Sequence, residues 1–184
     1  MITRKAALVG GLLAASTTLA SPALAETQIT LAQHSAVGSI NDILANQFKA
    51  CIEADDSIDM SVAHFPAGQL GTAREIVEQI KIGAIDMTIT DTAYMSNVQP
   101  ELTVWQLPFL FADWEHAERA MDGDAGDMTR ELLLQNQNMR VLAFMHNGFR
   151  DFMTIDKPVT TIADFESMKF RSPPIPIWLK MFET

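Results

Sequence analysis

Two arginines stand in apolar surroundings in the last third of the chain. Arg150 closes the run His146-Asn147-Gly148-Phe149-Arg150, and Arg171 lies within Met168-Lys169-Phe170-Arg171-Ser172-Pro173. Each falls at the end of a predicted strand. A guanidinium presents a planar fork that meets a carboxylate through two parallel N–H···O bonds, which a lysine ammonium cannot do. The residue types therefore point to carboxylate recognition. Spacing alone leaves an ordinary surface ion pair as an equal alternative for either arginine.

Catalytic chemistry finds no comparable support. The sequence has no H-E-x-x-H, no Walker loop and no G-x-S-x-G. Its four histidines, His34, His64, His116 and His146, lack metal-ligand spacing, and one cysteine cannot make a paired-thiolate zinc site. Asp55-Asp56 reads as a solvated turn. The expectation is a non-enzyme with no cofactor and no metal. Cys51, on the apolar side of a predicted helix, is expected to be a buried thiol packing as a small hydrophobe. As the only cysteine, it permits no intramolecular disulfide.

Composition narrows the partners. The chain of 184 residues carries 13 Lys+Arg against 23 Asp+Glu, a formal charge of −10. At its start, Arg4 and Lys5 precede an uncharged run over residues 6–20, and Ala23-Leu24-Ala25 closes the segment with small residues. That is the layout of a secretory signal peptide over residues 1–25, cleaved before Glu26. The run of 15 residues falls short of the roughly 20 needed to span a bilayer. Losing Arg4 and Lys5 leaves 11 basic against 23 acidic residues, a charge of about −12. Such a chain is a poor partner for nucleic acid. It can still bind a small anion, because a few local arginines dominate one pocket.

The elements that would position these residues alternate. A short apolar run over residues 29–32 fits a buried strand. Ser39 opens a helix with Ile40, Ile43, Leu44, Phe48, Cys51 and Ile52 at helical spacing. Ile58, Met60 and Val62 alternate as a strand. Pro66, Gly68 and Gly71 make a turn, Thr72 and Glu75 a capping box, and Gly83 a helix stop. Ile85, Met87 and Ile89 alternate again as a third strand. This β-α-β-α-β order predicts an α/β fold with a mainly parallel sheet. Further on, Asp113 caps a helix to about residue 121, and a second helix covers residues 126–136. Strands are expected at residues 141–145, 152–155 and 169–172, with a capped turn at Thr161 and Asp164 and a helix from residue 177. Ligands of open parallel sheets sit at the carboxyl ends of the strands. That rule selects His34 and Ser35, residues 66–71, and residues 90–94, which include Asp91 and Tyr94.

Several motifs, in this order and spacing, resemble a known family. They are Phe65-Pro66-Ala67-Gly68-Gln69-Leu70-Gly71, then Gln79-Ile80-Lys81-Ile82-Gly83-Ala84-Ile85-Asp86-Met87, then Leu107-Pro108-Phe109-Leu110-Phe111, then Gly148-Phe149-Arg150, then Asp164 through Lys169-Phe170-Arg171. The family is the DctP-like solute-binding subunit of TRAP (tripartite ATP-independent periplasmic) transporters, and the resemblance covers residues 29–184. It implies a periplasmic-binding-protein-like two-lobed fold that closes on its ligand. It implies uptake driven by an ion gradient through membrane subunits, with a small organic acid as ligand. Arg171 matches the family's signature arginine, which pairs with the ligand carboxylate, and Arg150 matches a second frequent contact. His34, Asp91 and Tyr94 fall where the family lines the pocket from the first lobe.

Two features depart from that pattern. Glu166-Ser167 stands where the family usually has Lys-Gly, and family members run to nearly twice this length. The expected organisation is a signal peptide over residues 1–25, a first α/β lobe over 26–145, and the start of a truncated second lobe over 146–184. The expected molecule is a periplasmic monomer. An exported enzyme on a similar scaffold and a ligand-sensing receptor domain are the competing readings. The missing catalytic motifs oppose the first, and a signal peptide without a second membrane span opposes the other.

Overall fold

The computed structural model describes residues 27–155, 158–166, 168–173 and 175–183. The expected signal peptide lies outside the described residues. Strand β1 (Thr27–Ala32) leads to helix α1 (Ile40–Glu53), β2 (Met60–Phe65), α2 (Ala73–Lys81) and β3 (Met87–Thr88). Then come α3 (Thr92–Met95), a 3-10 segment (Pro100–Gln106), α4 (Trp114–Asp122) and α5 (Asp124–Gln137). A 3-10 turn (Ile162–Phe165) and α6 (Pro176–Lys180) follow. No described helix is long and apolar enough to cross a membrane.

The helix starts are set by local side chains. Ser39 accepts a hydrogen bond from the Asp42 amide at 3.3 Å, and Asp113 one from the His116 amide at 2.8 Å. Thr72 and Glu75 form the expected reciprocal box, with the Thr72 amide on Glu75 Oε2 at 2.7 Å. That amide, then the Thr72 hydroxyl, holds the Glu75 carboxyl below its usual range. Gly83, at φ +71°, takes the left-handed position just past α2 that a Cβ would resist.

The three strands run parallel in the order β2-β1-β3. β1 is central, pairing Thr27 with Met60 through Ala32 with Phe65 on one side. On the other side it pairs Leu31 with Met87 and Ala32 with Thr88. Successive side chains on a strand point to opposite faces, and β1 fills two separate cores accordingly. Leu31 packs with Ala45 of α1 and Val62, while Ala32 packs with Ile76 of α2 and Ile85. Burying side chains such as Leu31, Val62 and Ile76 stabilises the fold by about 1.5–3 kcal/mol each. A third core joins Val77, Leu102, Leu133 and Met139, with Tyr94 and Trp105 against it. Polar ties reinforce it: Trp105 Nε1 donates to Thr129 Oγ1 at 2.9 Å, and Gln137 Nε2 to the Val98 carbonyl at 2.9 Å.

The structure corrects two expectations. Residues 141–145, 152–155 and 169–172 form no strand among the described residues. A strand exists only where another runs beside it, and no described segment pairs with these stretches. Several of their apolar side chains are left open, with Leu142 66 % and Met153 91 % exposed. Cys51 is exposed, not buried. α1 turns Asn41 and Ala45 inward, with Phe48 and Ile52 half-buried on the same side. Position 51 lies about 100° around the helix from Ile52, which takes it off that stripe.

Candidate functional site

The strand order changes direction at β1, with β2 on one side and β3 on the other. In open α/β sheets the crevice forms at such a switch point, outside the carboxyl ends of the two strands involved. Here those ends deliver His34 after β1 and Asp91 after β3.

The loop after β1 is tied down on both flanks. The amide of Gln33, a fully buried residue, donates to the Phe65 carbonyl at 3.1 Å, and its Oε1 accepts from the Ser35 amide at 2.7 Å. The turn after β2 answers, with Ala67 N on the Ser35 carbonyl at 2.9 Å and Gly68 N on the Gln33 carbonyl at 3.0 Å. That turn needs left-handed backbone at Ala67 and Gly68, and a Cβ on Gly68 would come within 3.1 Å of the Gly71 carbonyl oxygen. From α1, Asp42 Oδ2 accepts the Gly38 amide at 2.8 Å, and Asn41 Nδ2 donates to Ser35 Oγ at 3.0 Å. His64, nearly buried, brings Nε2 to 3.8 Å from Asp42 Oδ1.

This frame fixes His34 edge-on to Tyr94, with ring centroids 4.9 Å apart. Burial of the imidazole holds His34 below its usual range, and the Asp91 carboxylate opposes that shift. Tyr94 is also half-buried against the third core.

An open crevice of about 2460 Å³ starts at the carboxyl end of β3. That is well above the roughly 300–1,000 Å³ of a site fitted to a small molecule. Its walls include Thr90, Asp91 and Gln106 from the sheet side, and Arg150, Arg171 and Trp178 from the later segment. The structure thus brings Asp91, Arg150 and Arg171 to one crevice. His34 and Tyr94 are not among its lining residues.

Both arginines are exposed, and neither makes a hydrogen bond or ion pair among the described residues. Their neighbours anchor them. Phe149, next to Arg150, packs tilted against Trp114 of α4 with centroids 4.2 Å apart, where His146 also packs, with Nε2 3.3 Å from Glu118 Oε1. Phe170, next to Arg171, belongs to an aromatic cluster with Phe152, Phe165 and Phe182. The Arg150 guanidinium lies 4.2 Å above the Trp178 ring. The local sequence does not mark Trp178 as a partner of Arg150; the Pro-rich stretch before it signals only that the chain turns there. Chemically, the crevice offers two unclaimed guanidinium forks for a carboxylate and one carboxylate, Asp91, as an acceptor.

The family model for bacterial extracellular solute-binding proteins, family 7 (DctP), matches residues 31–184. The chain belongs to this family. It is 31% identical over 182 residues to the 2,3-diketo-L-gulonate-binding periplasmic protein YiaO of Escherichia coli K12, an alignment covering 97% of this chain and 53% of that protein. It is also similar to the TRAP periplasmic solute-binding protein of Polaromonas sp. JS666 bound to D-erythronate. That match has a TM-score of 0.77 and 28% identity, covering 86% of this chain and 52% of the other. The TRAP protein of Xanthobacter autotrophicus Py2, with bound β-D-galacturonate, gives a TM-score of 0.76 and 27% identity, covering 85% and 52%. The chain spans about half the length of the relatives it matches. Its described part supplies the α/β unit with the parallel sheet.

Proposed function

We propose that this chain is the grasping part of a periplasmic solute-binding protein that captures a small organic acid and delivers it to TRAP-type membrane subunits. The observation that carries the reading is the pair of exposed guanidinium groups, Arg150 and Arg171, on the wall of one crevice and without an acceptor among the described residues. Exposed arginines are common, but two without acceptors among the described residues, lining one crevice with the carboxyl end of β3 in a solute-binding family, fit a ligand carboxylate. Arg171 takes the principal carboxylate contact and Arg150 the second. Asp91 accepts a ligand hydroxyl, and His34 and Tyr94 support the wall from behind it. The ligands named for the relatives above are all sugar acids or close derivatives, and each presents a carboxylate beside oxygen groups.

Residues 26–145 act as the first lobe, and residues 146–184 begin the second. Closing the lobes expels water, which strengthens the arginine–carboxylate pair by lowering the local dielectric. Opening releases the ligand unchanged, without catalysis. The protein works as a monomer in the periplasm after cleavage before Glu26. A thermal-shift panel of D-erythronate, D-galacturonate, D-glucuronate and 2,3-diketo-L-gulonate on the full-length protein tests this. A ligand at 100 times its Kd raises stability by about 2.7 kcal/mol. No shift with any small carboxylate would reject the reading.

A further inference from the structure

We propose that Trp178 is the positioning residue for Arg150: its indole face holds the guanidinium flat and leaves the N–H edge free for the ligand carboxylate. The inference rests on the reading that Arg150 meets that carboxylate.

The geometry carries it in four steps. The guanidinium carbon sits 4.2 Å from the ring centroid, well inside the roughly 6 Å reach of a cation–π contact. Both residues line the crevice. A guanidinium stacked face-on uses its π-surface, while its five donors all lie in the plane at the rim. A carboxylate in Trp178's place would have occupied those donors. Asp151, next in sequence, does not take them either, and no ion pair joins it to Arg150 among the described residues.

Trp178 owes its own place to other contacts. Ile175 is 4 % exposed, and its amide donates to the Pro173 carbonyl at 2.8 Å. Pro176 then opens α6 with its φ already near the helical value. The Trp178 amide closes the first turn on the Ile175 carbonyl at 3.0 Å. The platform is thus built from the backbone after Arg171, while Arg150 arrives from the segment anchored on Trp114. Stacking the two joins both arginine-bearing segments on one wall. It also restricts a side chain that would otherwise lose much rotamer freedom on binding.

The test uses the full-length protein. Without ligand, NMR of the arginine side chains, with Arg150 assigned through Arg150→Lys, should show an upfield ring-current shift that disappears in Trp178→Leu. With D-galacturonate or D-glucuronate in calorimetry, Trp178→Leu should weaken binding about 3- to 30-fold, the range of a cation–π contact. Trp178→Phe should restore most of that loss and guards against a misfolded leucine variant. In an Arg150→Ala background, Trp178→Leu should cause no further loss, and the unliganded melting temperature should stay level. Additive losses in the two backgrounds would overturn the proposal, as would a fall in melting temperature at constant affinity. Absence of the ring-current shift in the unsubstituted protein would overturn it without any ligand. Failure of every carboxylate to bind would instead sink the functional reading, while the NMR comparison still decides the stacking.

Discussion

Asp42 is one of the side chains that hold the loop bearing His34, and its removal tests three contributions. Asp42 is 5 % exposed; Oδ2 accepts the Gly38 amide at 2.8 Å, and Oδ1 faces His64 Nε2 at 3.8 Å. The first is a charge-assisted hydrogen bond, worth about 1.5–3 kcal/mol. The second lies beyond hydrogen-bond distance and contributes less, even between two shielded groups. Asp42 also places a negative charge in the first turn of α1, adding about 0.3–1 kcal/mol through the helix dipole. Asp42→Ala removes all three and should cost about 2–4 kcal/mol. Asp42→Asn keeps an oxygen for the Gly38 amide and should cost roughly 1 kcal/mol, mostly from the lost charge. Urea unfolding of the full-length protein measures the totals. Amide hydrogen exchange at Gly38 measures the anchor locally, and should accelerate strongly in Asp42→Ala and only slightly in Asp42→Asn. Equal costs for the two variants, with Gly38 equally protected in both, would refute the ranking and make the His64 pairing dominant.

Three further outcomes follow from the same structure. Burial holds His34 below its usual range, so the unfolded chain binds the proton more readily. Stability should be full above about pH 6.5 and fall as pH drops through the folded-state value, a slope that His34→Gln should flatten in melting curves between pH 7.5 and 5. Asp164 accepts from the amides of Thr160 and Thr161 and from both hydroxyls, which pull its carboxyl from 3.8 to about 2. The turn it caps should persist above pH 3.8 and loosen as pH falls toward 2, visible in the Thr161 amide resonance and absent in Asp164→Asn. Residues 26–184 expressed alone should be poorly soluble or molten and bind no sugar acid measurably, because Phe109, Met153, Ile155 and Ile162 stand almost wholly exposed. A cooperative thermal transition with saturable micromolar binding would contradict that.

Local signals carried the first half of the chain. Ser39, Thr72 with Glu75, and Asp113 announce helix starts through hydrogen bonds within three residues, and all three form as expected. The alternation Ile58-Met60-Val62 likewise marks β2. Legibility failed where structure depends on distant partners. The apolar runs at residues 141–145 and 152–155 have strand composition but no neighbour to pair with. α3 and the 3-10 segment before Gln106 give little sequence signal, because they are held by packing on Leu102 and by Gln106 Nε2 donating to Thr92 Oγ1 at 2.5 Å. At the site, Asp91 could be named from the end of β3, and Arg150 and Arg171 from residue type, although the strands expected beside the two arginines do not form; the fold brings these three to one crevice. The contact of Arg150 with Trp178 spans 28 positions, which no local pattern encodes.

Calorimetry of the full-length protein with a panel of sugar acids, compared with Arg171→Ala and Arg171→Lys, tests the central claim most directly. At least one ligand should bind the unsubstituted protein at micromolar affinity or better. If Arg171 holds the ligand carboxylate in a closed cleft as proposed, Arg171→Ala should cost on the order of 2–5 kcal/mol, roughly 30-fold to several thousand-fold. Arg171→Lys should keep the charge, lose the bidentate geometry and still bind poorly. Unchanged affinity in both variants, or no binding of any carboxylate, would contradict the account.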